Sequence, residues 1–418
     1  MQPDFHHGLL IRQFEGMRPF TTTITLEEAR RRLTTAVRPV TRTSRVSLDQ
    51  AAGRVAAADV VSGIDVPPFA RAAMDGYALV AADTVGASRE AAAHLRVVDR
   101  VYSGHMPSAP IAPGLCAEIA TGAPIPDGAD AVAMVEDTAS LGDDLVGVLG
   151  PVAAGQHIGR RGADIAAGTV VVASGDVLTP GRVGALAAIG CRDVEVYERP
   201  RVAILSTGNE IVEPGQPLAP GQIYNVNRFT LAAVIGAHGG LPEPRRVVRD
   251  TIEALLAALD ECRDRDLLVF SGGSSVGERD LMLDLVAARG EMIFHGISIK
   301  PGKPTAFALI DGTPLFGMPG NPTSCLSNTY LLLVPYLRAI ARLPPFQPRT
   351  VRVPLGRRIE SPAGRHQIYT VRVADGVAHP AFKGSGEITS LSNADGYIEI
   401  PTGEGVVESG ALVDVTLF

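Results

Sequence analysis

The stretch RVAILSTGNE, Arg201 to Glu210, reads as an apolar strand that runs into a polar loop containing glycine. The same pattern recurs in DLLVFSGGSSVG (Asp266 to Gly277) and in TPLFGMPGNP (Thr313 to Pro322). Helical stretches, TLAAVIGAHGG, TIEALLAALDECR and LSNTYLLLVPYLRAI, come between or after them. Strands alternating with helices predict a mostly parallel sheet, and ligands of such sheets sit at the carboxyl ends of the strands. The three loops are therefore expected to converge on one site within an α/β domain spanning residues 200–343.

On either side of this domain the texture is that of β-structure, so the fold class is multidomain α/β plus β. Residues 66–149 carry short valine-rich runs broken by Gly, Pro and Asp, which predict a small β-domain. It is inserted into a linker domain formed by residues 21–65 and 150–199. There TLEEARRRLTTAV (Thr25 to Val37) opens as a helix, with a capping threonine, early glutamates and late arginines. Residues 344–418 return to short alternating strands, a separate C-terminal β-domain. Residues 1–20 match nothing periodic that follows, and Met17 is an alternative start. His6 and His7 are read as part of a loose tail in preference to a metal site.

The totals fit this division. A chain of 418 residues, 46% apolar and 20% charged, is long enough for several cores, and its 45 glycines and 31 prolines suit many turns. A formal charge of −7 offers no bulk attraction to nucleic acid or to an anionic membrane. Any anion must be held by a local arrangement of groups. Cys116, Cys191, Cys262 and Cys325 lie too far apart for a zinc or redox pair and read as reduced residues in or near the core. No membrane span or signal-peptide core is expected, which makes a cytoplasmic protein the default.

The candidate chemistry lies in the loops. In KPGKP, Lys300 and Lys303 flank a glycine, an arrangement suited to a doubly charged phosphate, and Pro319, Gly320 and Asn321 open an apolar helix whose first N–H groups face the same way. In SGGSSVGERD, the N–H groups and hydroxyls of Ser271, Gly272, Gly273, Ser274, Ser275 and Gly277 suit phosphate oxygens or a pterin-like ring edge. In STGNE, Ser206, Thr207 and Gly208 offer similar geometry beside the carboxylate of Glu210. Asp250 and Asp280 read either as helix caps or as further carboxylates at the crevice. Carboxylates and lysines together around one strand-end crevice suit Mg²⁺ on a phosphate anhydride.

AMDGYA (Ala73 to Ala78), TGAPIPDGADAV (Thr121 to Val132), STGNE, SGGSSVGERD, KPGKP and GMPGNP occur in this order. Together they closely resemble the molybdopterin molybdenumtransferase family, bacterial MoeA and the E domain of gephyrin, over the chain from Thr25 onward. The resemblance implies molybdenum cofactor biosynthesis. Molybdate is inserted into adenylated molybdopterin with Mg²⁺-dependent cleavage of the pyrophosphate, releasing AMP and molybdenum cofactor. It implies an elongated linker domain, a β-barrel-like C-terminal domain and a homodimer whose active site is shared between subunits. Further partners would be the molybdopterin adenylyltransferase and the molybdoenzyme acceptors.

Carried over by position, Glu210, Asp250 and Asp280 become the acidic group at the metal and anhydride, and Lys300 and Lys303 the phosphate ligands. Thr121 and Asp164 become the contribution of the partner subunit, and Arg365 and Ser390 contacts for molybdate. One departure concerns chemistry. Where the family usually carries an Asp after Phe69, this chain reads Ala70, Arg71, Ala72, and Ala163 stands where a Glu is common. A methyl group neither binds a metal nor accepts a proton. A paralogue with weakened turnover that binds molybdopterin or acts as a scaffold is therefore the alternative to the enzyme.

Overall fold

A computed structural model describes residues 23–272, 281–361 and 364–418. The tail 1–20, with His6, His7 and Met17, and the loop residues Gly273, Ser274, Ser275, Gly277 and Asp280 lie outside the described residues. The chain divides into two compact units. One comprises the N-terminal part up to Ser44 together with Tyr197–Phe418, and the other is Arg45–Val196.

The first unit is built on a six-stranded sheet. Its order is Leu241–Pro244, Arg201–Ser206, Leu267–Ser271, Thr313–Met318, Ala306–Ile310, Gly290–His295. The first four strands are mutually parallel, and Ala306–Ile310 runs antiparallel to its neighbours on both sides, so the expected mostly parallel sheet is a mixed one. The chain reverses between Ala306–Ile310 and Thr313–Met318 over Asp311-Gly312. Both residues have positive φ (48° and 84°), the conformation that a two-residue hairpin turn of matching twist requires.

Both faces of the sheet are covered, which explains why its inner strands are apolar without alternation. On one face lie Leu231, Ile235, Leu332 and Leu337, and on the other Leu255, Leu259, Leu285 and Val286. The helix Leu26–Thr35 starts where its sequence says, with the Thr25 hydroxyl accepting from Glu28 N–H. Its place differs from the expectation that grouped it with the linker. Leu26, Ala29 and Leu33 are buried in the first face of the α/β core, because that apolar stripe finds its cover there.

In the C-terminal part a sheet runs in the order Ile299–Lys300, His366–Ala374, Gly396–Ile400, Leu412–Leu417, Thr350–Pro354, with Val377–Pro380 beside His366–Ala374. A bridge from Leu355 to Ala378 brings the far end of this path back to its start. Strand Ile299–Lys300 leaves the α/β region to pair in parallel with His366–Gln367, so a β-ladder spans the boundary expected at 343/344.

The second unit holds a six-stranded sheet in the order Ala131–Met134, Gly76–Leu79, Leu115–Ile119, Ala93–Val101, Leu145–Val148, Thr138–Gly142. Its faces bury Leu79, Leu95 and Val148 on one side and Val101, Ile119 and Val132 on the other. A separate core of Ala56, Val172, Leu178, Leu186 and Val196 serves the segments before and after this sheet. No helix among the described residues is long and apolar enough to cross a membrane.

Candidate functional site

The ladders of the α/β sheet decide where its loops end. Ser206 pairs with Ser271, and Ser271 with Met318, so the chain leaves three adjacent strands at one level. Thr207 N–H donates to the Ser271 carbonyl (3.0 Å). Gly272 takes φ +115°, and a methyl there would stand 2.3 Å from the Thr207 carbonyl oxygen; one on Gly320 would meet the Gly272 Cα at 3.8 Å. Glycine is required at 272 both by φ and by this close approach.

Asn227, 93% buried at the start of the helix Asn227–Ala237, ties the loops together. Its amide nitrogen donates to Ser271 Oγ (3.0 Å) and to the Gly320 carbonyl (2.8 Å). Ser206 and Ser271 are buried, and the Ser206 hydroxyl donates to Asn225 Oδ1 (3.4 Å). Both serines, expected as ligand contacts, thus have a part in holding the loops.

Carboxylates border this floor. The oxygens of Glu210 stand over Gly208, 2.7 and 2.8 Å from where a Cβ would be. Asp250 follows the Thr207 to Val248 bridge, and Thr251 caps the next helix, its hydroxyl accepting from Ala254 N–H (3.3 Å). Asp250 is therefore not the cap that its position suggested. Desolvation raises its pKa, and the Glu210 charge adds to the rise while the Thr207 hydroxyl opposes it.

The lysine loop lies at the same end of the sheet. Ala306 pairs with Gly317, which sets Lys303 to Thr305 beside Met318 and Pro319. Asn328 fixes the turn: its amide nitrogen donates to the Gly302 carbonyl (2.9 Å) and would lie 2.2 Å from a Cβ on Gly302. Lys300 and Lys303 are partly exposed. Arg365, exposed, stands one residue before the strand whose Gln367 pairs with Lys300.

Two expectations are corrected here. The helix Pro322–Asn328 does not present all its first N–H groups, since Thr323 N–H donates to the Ser385 carbonyl (3.1 Å) and Asn321 Nδ2 to Ser385 Oγ (3.1 Å). Ser390 is fully buried, and its oxygen accepts from the N–H groups of Lys383 (2.9 Å) and Gly384 (3.4 Å), which leaves it as the anchor of its own loop.

In the other unit, Arg71–Ala72 pairs with Ile158–Gly159 on one side, while Ala72 N–H donates to the Ala123 carbonyl (2.9 Å) on the other. This sets Thr121, Ala70 and Asp164 in one neighbourhood: Ile125 N–H donates to the Ala70 carbonyl (3.0 Å) and Asp164 N–H to that of Val66 (3.0 Å). Asp75 Oδ1 accepts from Thr121 N–H (2.7 Å) and from its hydroxyl (3.0 Å), which holds the Asp75 pKa down.

Three regions of the sequence match known family regions in order. Residues 24–190 match the MoeA N-terminal region (domain I and II), 203–339 the probable molybdopterin binding domain, and 352–418 the MoeA C-terminal region (domain IV). The chain is 36% identical over 388 residues to Molybdopterin molybdenumtransferase 2 of Mycobacterium tuberculosis, covering 90% of this chain and 94% of that one. The chain belongs to the MoeA family. Against Molybdopterin molybdenumtransferase of a Nostoc species the identity is 33% over 381 residues, 88% of this chain and 87% of that one. The crystal structure of the molybdopterin biosynthesis MoeA protein from Pyrococcus horikosii is similar with a TM-score of 0.82 and 38% identity, covering 95% of this chain and 99% of that one.

In this MoeA family member, the residues that sequence reasoning overlooked are the asparagines. Asn225, Asn227 and Asn328 carry no motif of their own, and two of them sit in apolar helices. Their only signal is that a fully buried amide is expensive unless it is bonded, so an asparagine within a buried helix has work to do.

Proposed function

We propose that the chain is a molybdopterin molybdenumtransferase that inserts molybdate into adenylated molybdopterin and releases AMP. The observation that carries this reading is the convergence of Thr207, Gly272 and Gly320 on one floor, bordered by Glu210 and Asp250 and by the Lys300–Lys303 loop. Lys300 and Lys303 hold the phosphate oxygens by charge-assisted hydrogen bonds, and Gly272 lets the chain approach the ligand without a side chain in the way. Arg365, one residue before the strand whose Gln367 pairs with Lys300, draws molybdate toward that strand's start.

Among the described residues no three His, Cys, Asp or Glu side chains form a metal cluster, but Glu210 and Asp250 form a pair of like charges. Two carboxylates with substrate phosphates are a donor set that fits Mg²⁺, and a cation between them would relieve the repulsion from Glu210 that adds to the rise of the Asp250 pKa caused first by burial. When bound there, Mg²⁺ supplies charge neutralisation on the anhydride oxygens. Glu210 and Asp250 orient that charge, with Asp280 as a third acid.

In this reading the protein is a cytoplasmic homodimer, and Thr121 of the partner subunit and Asp164 of the partner subunit complete each site. Substrate comes from the adenylyltransferase, and product passes to molybdoenzyme acceptors. The scaffold alternative is not adopted, because full-length relatives bear the transferase name.

A single-turnover assay with adenylated molybdopterin, Mg²⁺ and molybdate tests the proposal. Molybdate-dependent release of AMP is the expected result. Binding of the adenylated pterin with no release under any molybdate concentration overturns it.

A further inference from the structure

Thr121 is an exposed turn residue, yet its own unit holds it from three sides. The ladder pairs Gly76 with Ile119, which brings Asp75 level with the turn that follows the strand Leu115–Ile119. Glycine at 76 allows the close approach on the other side, since a methyl there would stand 1.8 Å from the Ala133 carbonyl oxygen. The Asp75 carbonyl accepts from Val135 N–H (3.1 Å), so the backbone that carries this carboxylate is fixed there as well.

All three polar groups of Thr121 are engaged. Its N–H (2.7 Å) and its hydroxyl (3.0 Å) both donate to Asp75 Oδ1, and its carbonyl accepts from the Ser103 hydroxyl (2.9 Å). Gly122, at φ +84°, turns the chain back, and its N–H donates to the Ala72 carbonyl (2.8 Å). A carboxylate oxygen only accepts, so the single proton of the Thr121 hydroxyl is committed to Asp75 and the hydroxyl offers lone pairs outward. The Thr121 N–H and then its hydroxyl hold the Asp75 pKa down, which keeps that carboxylate an acceptor at neutral pH. Among the described residues no Arg, Lys or His pairs with Asp75, and no group donates to its other oxygen.

An exposed hydroxyl that can only accept, beside an unpaired carboxylate oxygen, is an acceptor face with negative charge. It repels a phosphate and suits an N–H or O–H group. We propose that Asp75 is a positioning residue that fixes Thr121 as a hydrogen-bond acceptor, and that Thr121 takes an N–H or O–H donor of the substrate and not a phosphate oxygen. This inference rests on the reading above, in which Thr121 meets adenylated molybdopterin. The two ends of the substrate are then told apart by sign: the lysine loop takes its charged oxygens, and Thr121 a donor on its uncharged part.

The test is a double-mutant cycle on the full chain, read by calorimetry with adenylated molybdopterin in the absence of Mg²⁺ and molybdate, so that no cation or its water can serve as the donor. Thr121→Val keeps the shape and removes the hydroxyl, and should weaken binding by about three- to tenfold, the scale of one hydrogen bond. Asp75→Ala frees the hydroxyl to rotate and should weaken binding to a similar degree. Because Asp75 acts through Thr121, the double variant should bind within about twofold of Thr121→Val. Asp75→Asn keeps an amide oxygen for both Thr121 bonds and should lose less affinity than Asp75→Ala.

Losses that add in the double variant overturn the proposal, because Asp75 then acts on the ligand or on the fold without Thr121. Asp75→Asn as weak as Asp75→Ala also overturns it, since charge and not geometry would be what Asp75 supplies. A loss seen only when Mg²⁺ is present gives the donor to the cation's water and overturns the assignment to the substrate. Unchanged affinity in Thr121→Val and Asp75→Ala, with molybdate-dependent AMP release intact, removes this inference and leaves the transferase reading standing. The expected pattern of affinities without any AMP release supports the inference and counts against the transferase reading alone. An unmodified chain that does not bind adenylated molybdopterin overturns both.

Discussion

Gly272 and Thr207 approach so closely that the space for a side chain between them is gone: a Cβ on Gly272 would be 2.3 Å from the Thr207 carbonyl oxygen and 2.9 Å from its hydroxyl. Because φ at Gly272 is also +115°, Gly272→Ala is strained twice. The expected cost is about 1–3 kcal/mol of stability. Pterin-ligand affinity should fall as well, because the loops must part. Denaturant melts alongside calorimetry check this, and a variant that keeps both stability and affinity would show that the loops tolerate separation.

Asn227 provides a second way to loosen the same floor, this time without steric strain. Asn227→Ala removes the donor to Ser271 Oγ and to the Gly320 carbonyl, leaving a buried oxygen unsatisfied at about 1–3 kcal/mol. Asn227→Asp should be worse, since a carboxylate faces the Gly320 carbonyl. Ligand affinity should fall in step with stability. Asn227→Ala at wild-type stability would mean that the amide does not hold the loops together.

The contrast between these two residues indicates what the sequence made legible. Strand-to-loop runs such as RVAILSTGNE announce both the parallel core and the level at which its loops emerge, since unbroken apolar character suits a strand covered on both faces and the glycine marks where the chain turns out of it. The antiparallel edge was less legible, because it depends on positive φ at Asp311, which the residue type allows but does not demand. Ser390 and the first N–H groups of the helix Pro322–Asn328, that of Thr323 among them, differ from expectation for a related reason. Whether a hydroxyl or N–H is free depends on the loop folded over it, here residues 383–387, and that loop is distant in sequence from Thr323.

Asp250 should carry a measurable pH signature. Its folded pKa is raised, first by desolvation and then by Glu210, so the ionised carboxylate costs stability at neutral pH. That cost is fully present above the raised pKa and disappears as pH falls below the ordinary aspartate range, about 3.9. Asp250→Asn should therefore be more stable than the unmodified protein at pH 7 and no more stable below about pH 3.9. It should also lose Mg²⁺-dependent turnover. Urea melts across this range give the answer. A destabilised Asp250→Asn at pH 7 would mean that Asp250 holds the loop together.

The lysines should act on affinity more than on stability, being partly exposed on a turn whose shape Asn328 sets. Lys300→Ala or Lys303→Ala should weaken pterin-ligand binding by about 1.5–3 kcal/mol. Calorimetry showing unchanged affinity in both would take phosphate recognition away from this loop.

Ala70 offers the most direct test of turnover. Its carbonyl is fixed by Ile125 N–H at 3.0 Å, and its side chain is partly exposed, so Ala70→Asp should fit at little cost in stability. Nearby Asp75 is a poor substitute for the missing acid, because Oδ1 already accepts from the N–H and the hydroxyl of Thr121 (2.7 and 3.0 Å). Arg71 has the wrong charge for the role. If the family's aspartate positions molybdate or its metal partner, the unmodified protein should bind adenylated pterin but release AMP slowly. Ala70→Asp should then raise molybdate-dependent release by roughly ten- to a thousandfold, about 1.4–4 kcal/mol of transition-state stabilisation. Rapid release without the substitution, unchanged by it, would mean that the exposed carboxylate of Asp164 or one from the α/β unit supplies the function. The single variant Asp164→Asn, with Ala70 unchanged, would then separate those two, because only the first depends on Asp164.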